Sequence, residues 1–363
     1  MSKEWKMVKL GEILQPQPKS KIKAGDGLNK GQYKFFTSSN IQIKFIDNYT
    51  YNKSALIFGT GGNASIHYCD ELFATSTDCL VFYGKENVNI KSVYQYINGN
   101  IHLLEAGFKG AGLKHISKEY ILNIEINLPP FARQHHIAAT LDKANELIAL
   151  RKKQLQELDT LAESVFYDMF GDPVKNEEGW ECEPVISHTS CIVPGRDKPK
   201  SFTGDIPWVT TAELNHLGYT FQSSIGLNED EVNEVRAKII PKGSVIITCV
   251  GDLGVVSIAG NRMVINQQLH AFQCLDNLNN IFLAYCLSYR KDYMYKMASN
   301  TTVPYMNKSI CNSIPILLPP LSLQTRFASI IEKIEEQKAQ VRKALQESED
   351  LFQRLMQDLF KPD

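Results

Sequence analysis

Ile124-Glu125-Ile126-Asn127-Leu128-Pro129-Pro130-Phe131-Ala132-Arg133-Gln134 returns 190 residues later as Ile314-Pro315-Ile316-Leu317-Leu318-Pro319-Pro320-Leu321-Ser322-Leu323-Gln324. The register holds without a gap from Lys118/Lys308 to Phe170/Phe360, and eighteen of those 53 positions are identical. A fixed offset over such a span marks an internal repeat. Prolines at 129–130 and 319–320 fit just before or at the first turn of a helix and nowhere deeper. About 40 residues without proline or glycine follow each pair.

In the first stretch Ile137, Leu141, Ala144, Ile148, Leu155, Leu158, Ala162, Val165 and Met169 recur at spacings of three and four, with Arg151 in the stripe. In the second, Phe327, Ile331, Ile334, Val341, Leu345, Phe352, Leu355 and Leu359 do the same, broken by Lys338 and Ser348. A narrow apolar seam with charged flanks predicts two long helices that pair as a coiled coil. At ~1.5 Å per residue each is on the order of 55–60 Å long, and each needs its partner to be stable.

Upstream, the echoes are fainter and the offset varies. Trp5 and Trp180 open the two blocks; Phe35-Phe36-Thr37-Ser38 resembles Trp208-Val209-Thr210-Thr211, and Ala55–Gly62 resembles Ser244–Gly251. Short β-branched or aromatic runs (Ala55–Phe58, Leu80–Tyr83, Ser244–Thr248, Val255–Ile258) between Gly, Asn and Asp turns predict strands. Val93–Leu104 and Ile281–Met297 read as helices. The expected order is head 1–128, helix 129–171, head 172–318, helix 319–363.

Length, a 43% hydrophobic and 22% charged composition, and a net charge of −1 describe a globular chain of more than one domain. No apolar run reaches the ~18–20 residues of a membrane span, and the start has no leader pattern, so a cytoplasmic protein is expected. Eight scattered cysteines without a Cys-x-x-Cys pair predict free thiols, no disulfide framework and no structural zinc. Charge is uneven: residues 1–130 hold 15 lysines against 11 acidic residues, whereas 171–320 hold 12 basic against 15 acidic.

Leu-Pro-Pro-x-x-x-Gln at the head of two matched helices, each preceded by a diverged domain, resembles the specificity subunits of type I restriction–modification systems over essentially the whole chain. The resemblance implies an α+β fold, with two α/β target-recognition domains separated by a long antiparallel two-helix coiled coil and related by an internal pseudo-twofold repeat. It implies a non-catalytic subunit that binds double-stranded DNA at a bipartite target. Two methyltransferase (M) subunits and restriction (R) subunits would be its partners. No cofactor would be bound by this chain; S-adenosylmethionine would belong to the methyltransferase, ATP and Mg to the restriction subunit.

Reading bases calls for amides, hydroxyls and a few basic groups. Loops rich in these stand at matching places in the two copies. The first copy supplies Thr37, Ser38, Asn40, Thr60, Asn63, Thr75, Ser76, Lys109, Lys114 and His115. The second supplies Thr210, Thr211, Asn266, Gln267, Gln268, Asn300, Thr301, Thr302 and Tyr305. Lys118 and Lys308 match in register and are the expected phosphate contacts. Family members carry a small-residue, Lys/His-bearing segment before the hinge; here Lys114-His115 becomes Pro304-Tyr305 in the second copy. For any one of these Thr, Ser or Asn residues, a turn-forming hydrogen bond is the competing role.

Other chemistries fit less well. Gly59–Gly62 lacks the Gly-Lys-Ser/Thr ending of a phosphate loop. His135-His136 is answered by Thr325-Arg326 in the repeat, against a metal site. A methyltransferase resembling the family with an Asn/Asp-Pro-Pro-Tyr/Phe tetrapeptide would need an amide or carboxylate where this chain has Leu128, whose side chain cannot hydrogen-bond a flipped base. A coiled-coil adaptor whose heads bind proteins is the remaining alternative.

Overall fold

The computed structural model describes residues 5–110, 112–195, 197–299 and 302–361. Helices run from Phe131 to Phe170 (40 residues) and from Leu321 to Leu359 (39 residues), each beginning directly after its Pro-Pro pair. The chain divides into two compact units: Met1–Lys152 with Lys343–Asp363, and Lys153–Arg342. Each unit thus takes one head and a part of both long helices.

In the first unit, Leu14–Pro16, Cys79–Gly84, Ala55–Gly59 and Ile66–Cys69 lie in that order in an antiparallel sheet. Ala55–Gly59 is buried on both faces: Leu56 and Phe58 face one core with Phe82, Val93 and Ile97, while Ala55 and Ile57 face another with Phe36 and Phe73. A continuous apolar run is what two-sided burial requires. Tyr33–Phe36 pairs with Lys44–Ile46 antiparallel and with Phe73–Thr75 parallel. Lys6–Lys9 closes the head by pairing with Glu125–Leu128, just before the hinge.

The second unit repeats the plan. Its five-stranded sheet has the order Thr189–Ile192, Leu269–Cys274, Val245–Thr248, Val256–Ala259, Tyr219–Thr220. Ile206–Val209 pairs parallel with Met263–Ile265, as Tyr33–Phe36 does with Phe73–Thr75. Cys182–Pro184 pairs with Pro315–Leu317, as Lys6–Lys9 does with Glu125–Leu128. Here Val245 and Ile247 face one core and Ile246 the other.

Both expected head helices are shorter than read and end at a cap. Val93–Leu104 is Ile90–Gly99 followed by His102–Glu105; Asn100-Ile101 interrupts it, and the Asn100 amide donates back to the Tyr96 carbonyl at 2.9 Å. Ile281–Met297 is Asn280–Ser288 and Lys291–Met297, broken at Tyr289-Arg290.

Within each unit the long-helix segments run in opposite directions. In the second, Lys338 reaches Asp159 at 2.7 Å, and Phe327 packs on Phe166 and Phe170 at ring distances of 5.5 and 5.4 Å. Falling numbers on one helix meet rising numbers on the other. Phe282 and Tyr285 of the head helix complete that aromatic core. In the first, Arg151 donates to the Ser348 hydroxyl at 3.1 Å. Further on, Phe360 meets Tyr96 of the head helix at 5.1 Å, and neighbouring Gln95 donates to the Ala138 carbonyl at 3.4 Å. The polar interruptions of the seam are therefore paired: Arg151 with Ser348, Lys338 with Asp159. Such pairs fix register at some cost in burial.

All eight cysteines are free thiols. Among the described residues, no helix is long and apolar enough to cross a membrane, and no cluster of three His, Cys, Asp or Glu could hold a metal ion.

Candidate nucleic-acid interface

In the first unit the strand Ala55–Gly59 ends against the 37–40 loop. A Cβ on Gly59 would collide with Ser65 Oγ and stand 2.9 Å from Ser38 Cα, so glycine is what permits the approach. The carbonyl of Asp78 then gathers three donors: Thr60 N–H at 2.9 Å, Thr60 Oγ1 at 2.9 Å and Ser38 Oγ at 2.7 Å. Ser65 Oγ donates to the Ser38 carbonyl at 3.1 Å, and His67 Nε2 lies 2.7 Å from that of Ser39. Burial lowers the His67 pKa from its ordinary value, and the bond to Ser39 opposes it only in part.

A fourth loop closes over these. Lys109 and His115 exchange backbone hydrogen bonds at 2.9 and 3.0 Å, Gly62 N–H donates to the Lys114 carbonyl at 3.1 Å, and Ile116 N–H to that of Thr60 at 3.1 Å. Gly62 has φ +86°, a conformation that disfavours a side chain. Residues 37–40, 59–65, 76–78, 109–110 and 112–116 thus form one surface.

On it Asn40, Asn63, Lys109, Lys114 and His115 are exposed, and Thr37, Ser38 and Thr60 half-buried; Lys118 is exposed in the first turn of the short helix beyond. Thr75 and Ser76 are fully buried. They form the floor: Ser76 N–H donates to Phe36 O at 2.8 Å and Ser76 Oγ accepts from Asp78 N–H at 3.3 Å. A Thr-Ser-Thr run looks the same in sequence whether it faces water or caps a strand from below.

The second unit builds the same backbone scheme from different residues. Cys249 N–H donates to Gln268 O at 2.8 Å where Thr60 donates to Asp78. Asn266 N–H donates to Val209 O at 3.0 Å where Ser76 donates to Phe36. Gly251, at φ +81°, donates to Pro304 O at 3.0 Å where Gly62 donates to Lys114. Met306 N–H donates to Cys249 O at 2.9 Å where Ile116 donates to Thr60. The proline at 304 retains its carbonyl, so the bond survives the change that removes the lysine.

Gln267, Gln268, Thr302, Tyr305 and Lys308 are exposed there, and Thr211 and Asn266 half-buried. Gln267 Nε2 donates to Gly195 O at 3.2 Å, and Asn266 Nδ2 to Gln268 Oε1 at 3.1 Å. Thr210 is engaged as a cap: its hydroxyl and N–H both donate to the Glu213 carboxylate, at 2.6 and 2.9 Å. Asn300 and Thr301 lie outside the described residues. A polar cavity of about 640 Å³, lined by residues including Pro207, Phe221, Ser224 and Arg262, sits at the opposite ends of Ile206–Val209 and Met263–Ile265 from this surface.

Ser65, His67 and the Asp78 carbonyl organise the first surface, and no motif in the chain marks them. Each acts through a partner on another loop.

Two segments, 2–160 and 194–348, match the model of the type I restriction modification DNA specificity domain. Among curated proteins, the MjaIX type I restriction enzyme specificity subunit of Methanocaldococcus jannaschii is 25% identical over 166 residues, 44% of this chain and 37% of that one. The EcoDI specificity subunit of Escherichia coli is 28% identical over 157 residues, 43% of this chain and 34% of that one. The chain thus spans about a third of the length of these two relatives. A putative specificity subunit of Haemophilus influenzae is 23% identical over 334 residues, 84% of this chain and 80% of that one. The solved S subunit of a type I restriction–modification system from M. genitalium has the same fold, with a TM-score of 0.68 at 15% identity over 99% of this chain and 96% of that one. A second type I system structure gives 0.59 at 19% identity, over 99% and 98%. With two matches to one family model covering most of its length, this chain belongs to the type I restriction–modification DNA specificity family.

Proposed function

We propose that the chain is the non-catalytic, cytoplasmic DNA-reading subunit of a type I restriction–modification complex, recognising a bipartite target and directing partner methyltransferase and restriction subunits to it. The observation that carries this is the pair of surfaces: one hydrogen-bonded chassis, built twice, presenting different side chains. A rigid frame with exchangeable amides, hydroxyls and lysines is what base-edge reading of two different half-sites requires. Each head reads one half-site, and the helices common to both units set the gap and dock two methyltransferase subunits. S-adenosylmethionine is then the methyltransferase's cofactor, and ATP and Mg those of the restriction subunit.

The Leu128-Pro129-Pro130 segment supports a non-catalytic reading. Leu128 pairs with Lys6 in a two-stranded ribbon, and the Pro129 carbonyl is bonded to Gln134; both are structural uses of a segment that carries leucine where the methyltransferase tetrapeptide has Asn or Asp. The test is a mobility-shift assay of the full chain with its methyltransferase partner across a salt series. A shift that depends on DNA sequence is expected. A sequence-independent shift, or none, sinks the reading in favour of a protein-binding adaptor, and methyl transfer by this chain alone sinks the non-catalytic part.

A further inference from the structure

Beside the first unit's surface runs Gln17-Pro18-Lys19-Ser20-Lys21-Ile22-Lys23. It is pinned along its length. Gln17 N–H donates to Val81 O at 2.8 Å, the Tyr51 hydroxyl to Pro18 O at 2.8 Å, Ile22 N–H to Ser20 Oγ at 3.2 Å, and Thr77 N–H to Ile22 O at 2.8 Å. The last bond fastens it to the 76–78 loop. Burial alternates along it: Lys19, Lys21 and Lys23 are exposed, Ser20 is buried and Ile22 half-buried. Alternation with period two puts the three ammonium groups on one outer face.

None of the three is in an ion pair among the described residues, in contrast to Lys34 with Glu71 and Lys91 with Asp142. The nearest acidic neighbour in sequence, Asp26, accepts from Lys23 N–H at 2.9 Å and so caps the backbone of the segment. The usual explanation of a lysine run, a mobile solvated face, does not account for a backbone tied to the rest of the head by three separate hydrogen bonds, with Val81, Tyr51 and Thr77. In the second unit the corresponding stretch contains Asp197, and Lys200 lies 3.5 Å from Glu234, so the uninterrupted row belongs to the first unit.

We propose that Lys19, Lys21 and Lys23 form a phosphate ladder that grips one DNA strand alongside the half-site read by the first unit. This rests on the DNA-reading function proposed above. Alternate residues of a chain are at most ~6.7 Å apart, so the row spans up to ~13 Å. That reaches several successive phosphates of a strand that rises ~3.4 Å per nucleotide. The ladder carries no sequence information; it sets affinity, salt dependence and the register in which the polar loops meet the bases.

The experiment compares the full chain, in complex with its methyltransferase partner, with the triple variants Lys19→Gln/Lys21→Gln/Lys23→Gln and Lys19→Arg/Lys21→Arg/Lys23→Arg. Binding to the cognate duplex is measured from 50 to 200 mM salt. The glutamine variant is expected to lose roughly 2–3 from the slope of log K against log salt, so that the fourfold rise in salt weakens it about 16- to 64-fold less than the wild type. Its preferred sequence is expected to be unchanged, and the arginine variant to keep the wild-type slope. An unchanged slope in the glutamine variant overturns the ladder while leaving DNA reading intact. Equal loss in both variants also overturns it, since shape rather than charge would then be at work. A wild type without sequence-dependent binding overturns the ladder and the DNA-reading function together.

Discussion

The side-chain carbonyl of Gln134 accepts the backbone N–H of Asn89 at 2.7 Å. Its amide donates to Pro129 O at 2.8 Å. In the second unit Gln324 does the same, accepting from Asn279 N–H at 2.9 Å and donating to Pro319 O at 2.8 Å. Both glutamines are nearly inaccessible, at 2% and 1%. Each ties the Pro-Pro hinge to the N-cap of a head helix, whose own asparagine side chain accepts from the next N–H groups. The glutamine of the Leu-Pro-Pro-x-x-x-Gln motif is thus the clasp between head and helix.

Removing the clasp should be costly. Gln134→Ala leaves the Asn89 N–H and the Pro129 carbonyl without partners, and each unsatisfied buried group costs ~1–3 kcal/mol. A loss of about 2–4 kcal/mol in urea unfolding is expected, with a similar loss for Gln324→Ala. Gln134→Glu should also destabilise, because a carboxylate cannot donate to Pro129. A change below about 0.5 kcal/mol would show that the clasp is ornamental.

The seam pair Arg151 and Ser348 should be coupled. A double-mutant cycle with Arg151→Ala and Ser348→Ala is expected to give an interaction free energy of roughly 1 kcal/mol, since the guanidinium is charged and the hydroxyl buried. Additive effects would mean that the bond does not contribute to holding these helix segments in register.

Acid should weaken the second unit before its carboxylates titrate. Burial, with repulsion from Lys308, pushes His270 down to about 4, and its Nδ1 has no hydrogen-bond partner. The folded chain keeps this imidazole neutral where the unfolded chain, near its ordinary value of 6.5, takes up a proton. The stabilisation is complete above pH 6.5 and is lost as pH falls toward 4. Glu231, held down to about 2 by the hydroxyls of Ser201 and Thr203 and by the N–H groups of Asn228 and Thr203, titrates only in a lower window. Urea midpoints taken between pH 7.5 and 5 should therefore fall in the wild type and fall less in His270→Leu. Parallel curves would place the acid sensitivity elsewhere, on His67 or His216, whose pKa values burial also lowers.

The helices were the most legible part of the sequence because their signal is local and periodic, and because 190 residues later it is repeated. Gln134 and Gln324 stood out in that repeat, whereas Asn89 and Asn279, bonded to them across 45 residues, did not. The strands Ala55–Gly59 and Val245–Thr248 were readable as apolar runs. Their loops were recognisable as polar, but polarity does not say which side of a loop faces water; Thr75 and Ser76 turned inward and Asn40 and Asn63 outward. The lysines at 19, 21 and 23 were hidden in a charge count pooled over 130 residues. Only the backbone bonds that pin their segment single them out.

The most direct test is to exchange residues 1–128 for those of another family member in a complete system and map the methylated bases in cells carrying it. Two independent reading surfaces on one chassis predict that one half of the methylated motif changes and the other half stays as it was. A motif left untouched, or one altered in both halves, would contradict the assignment of one half-site to each head.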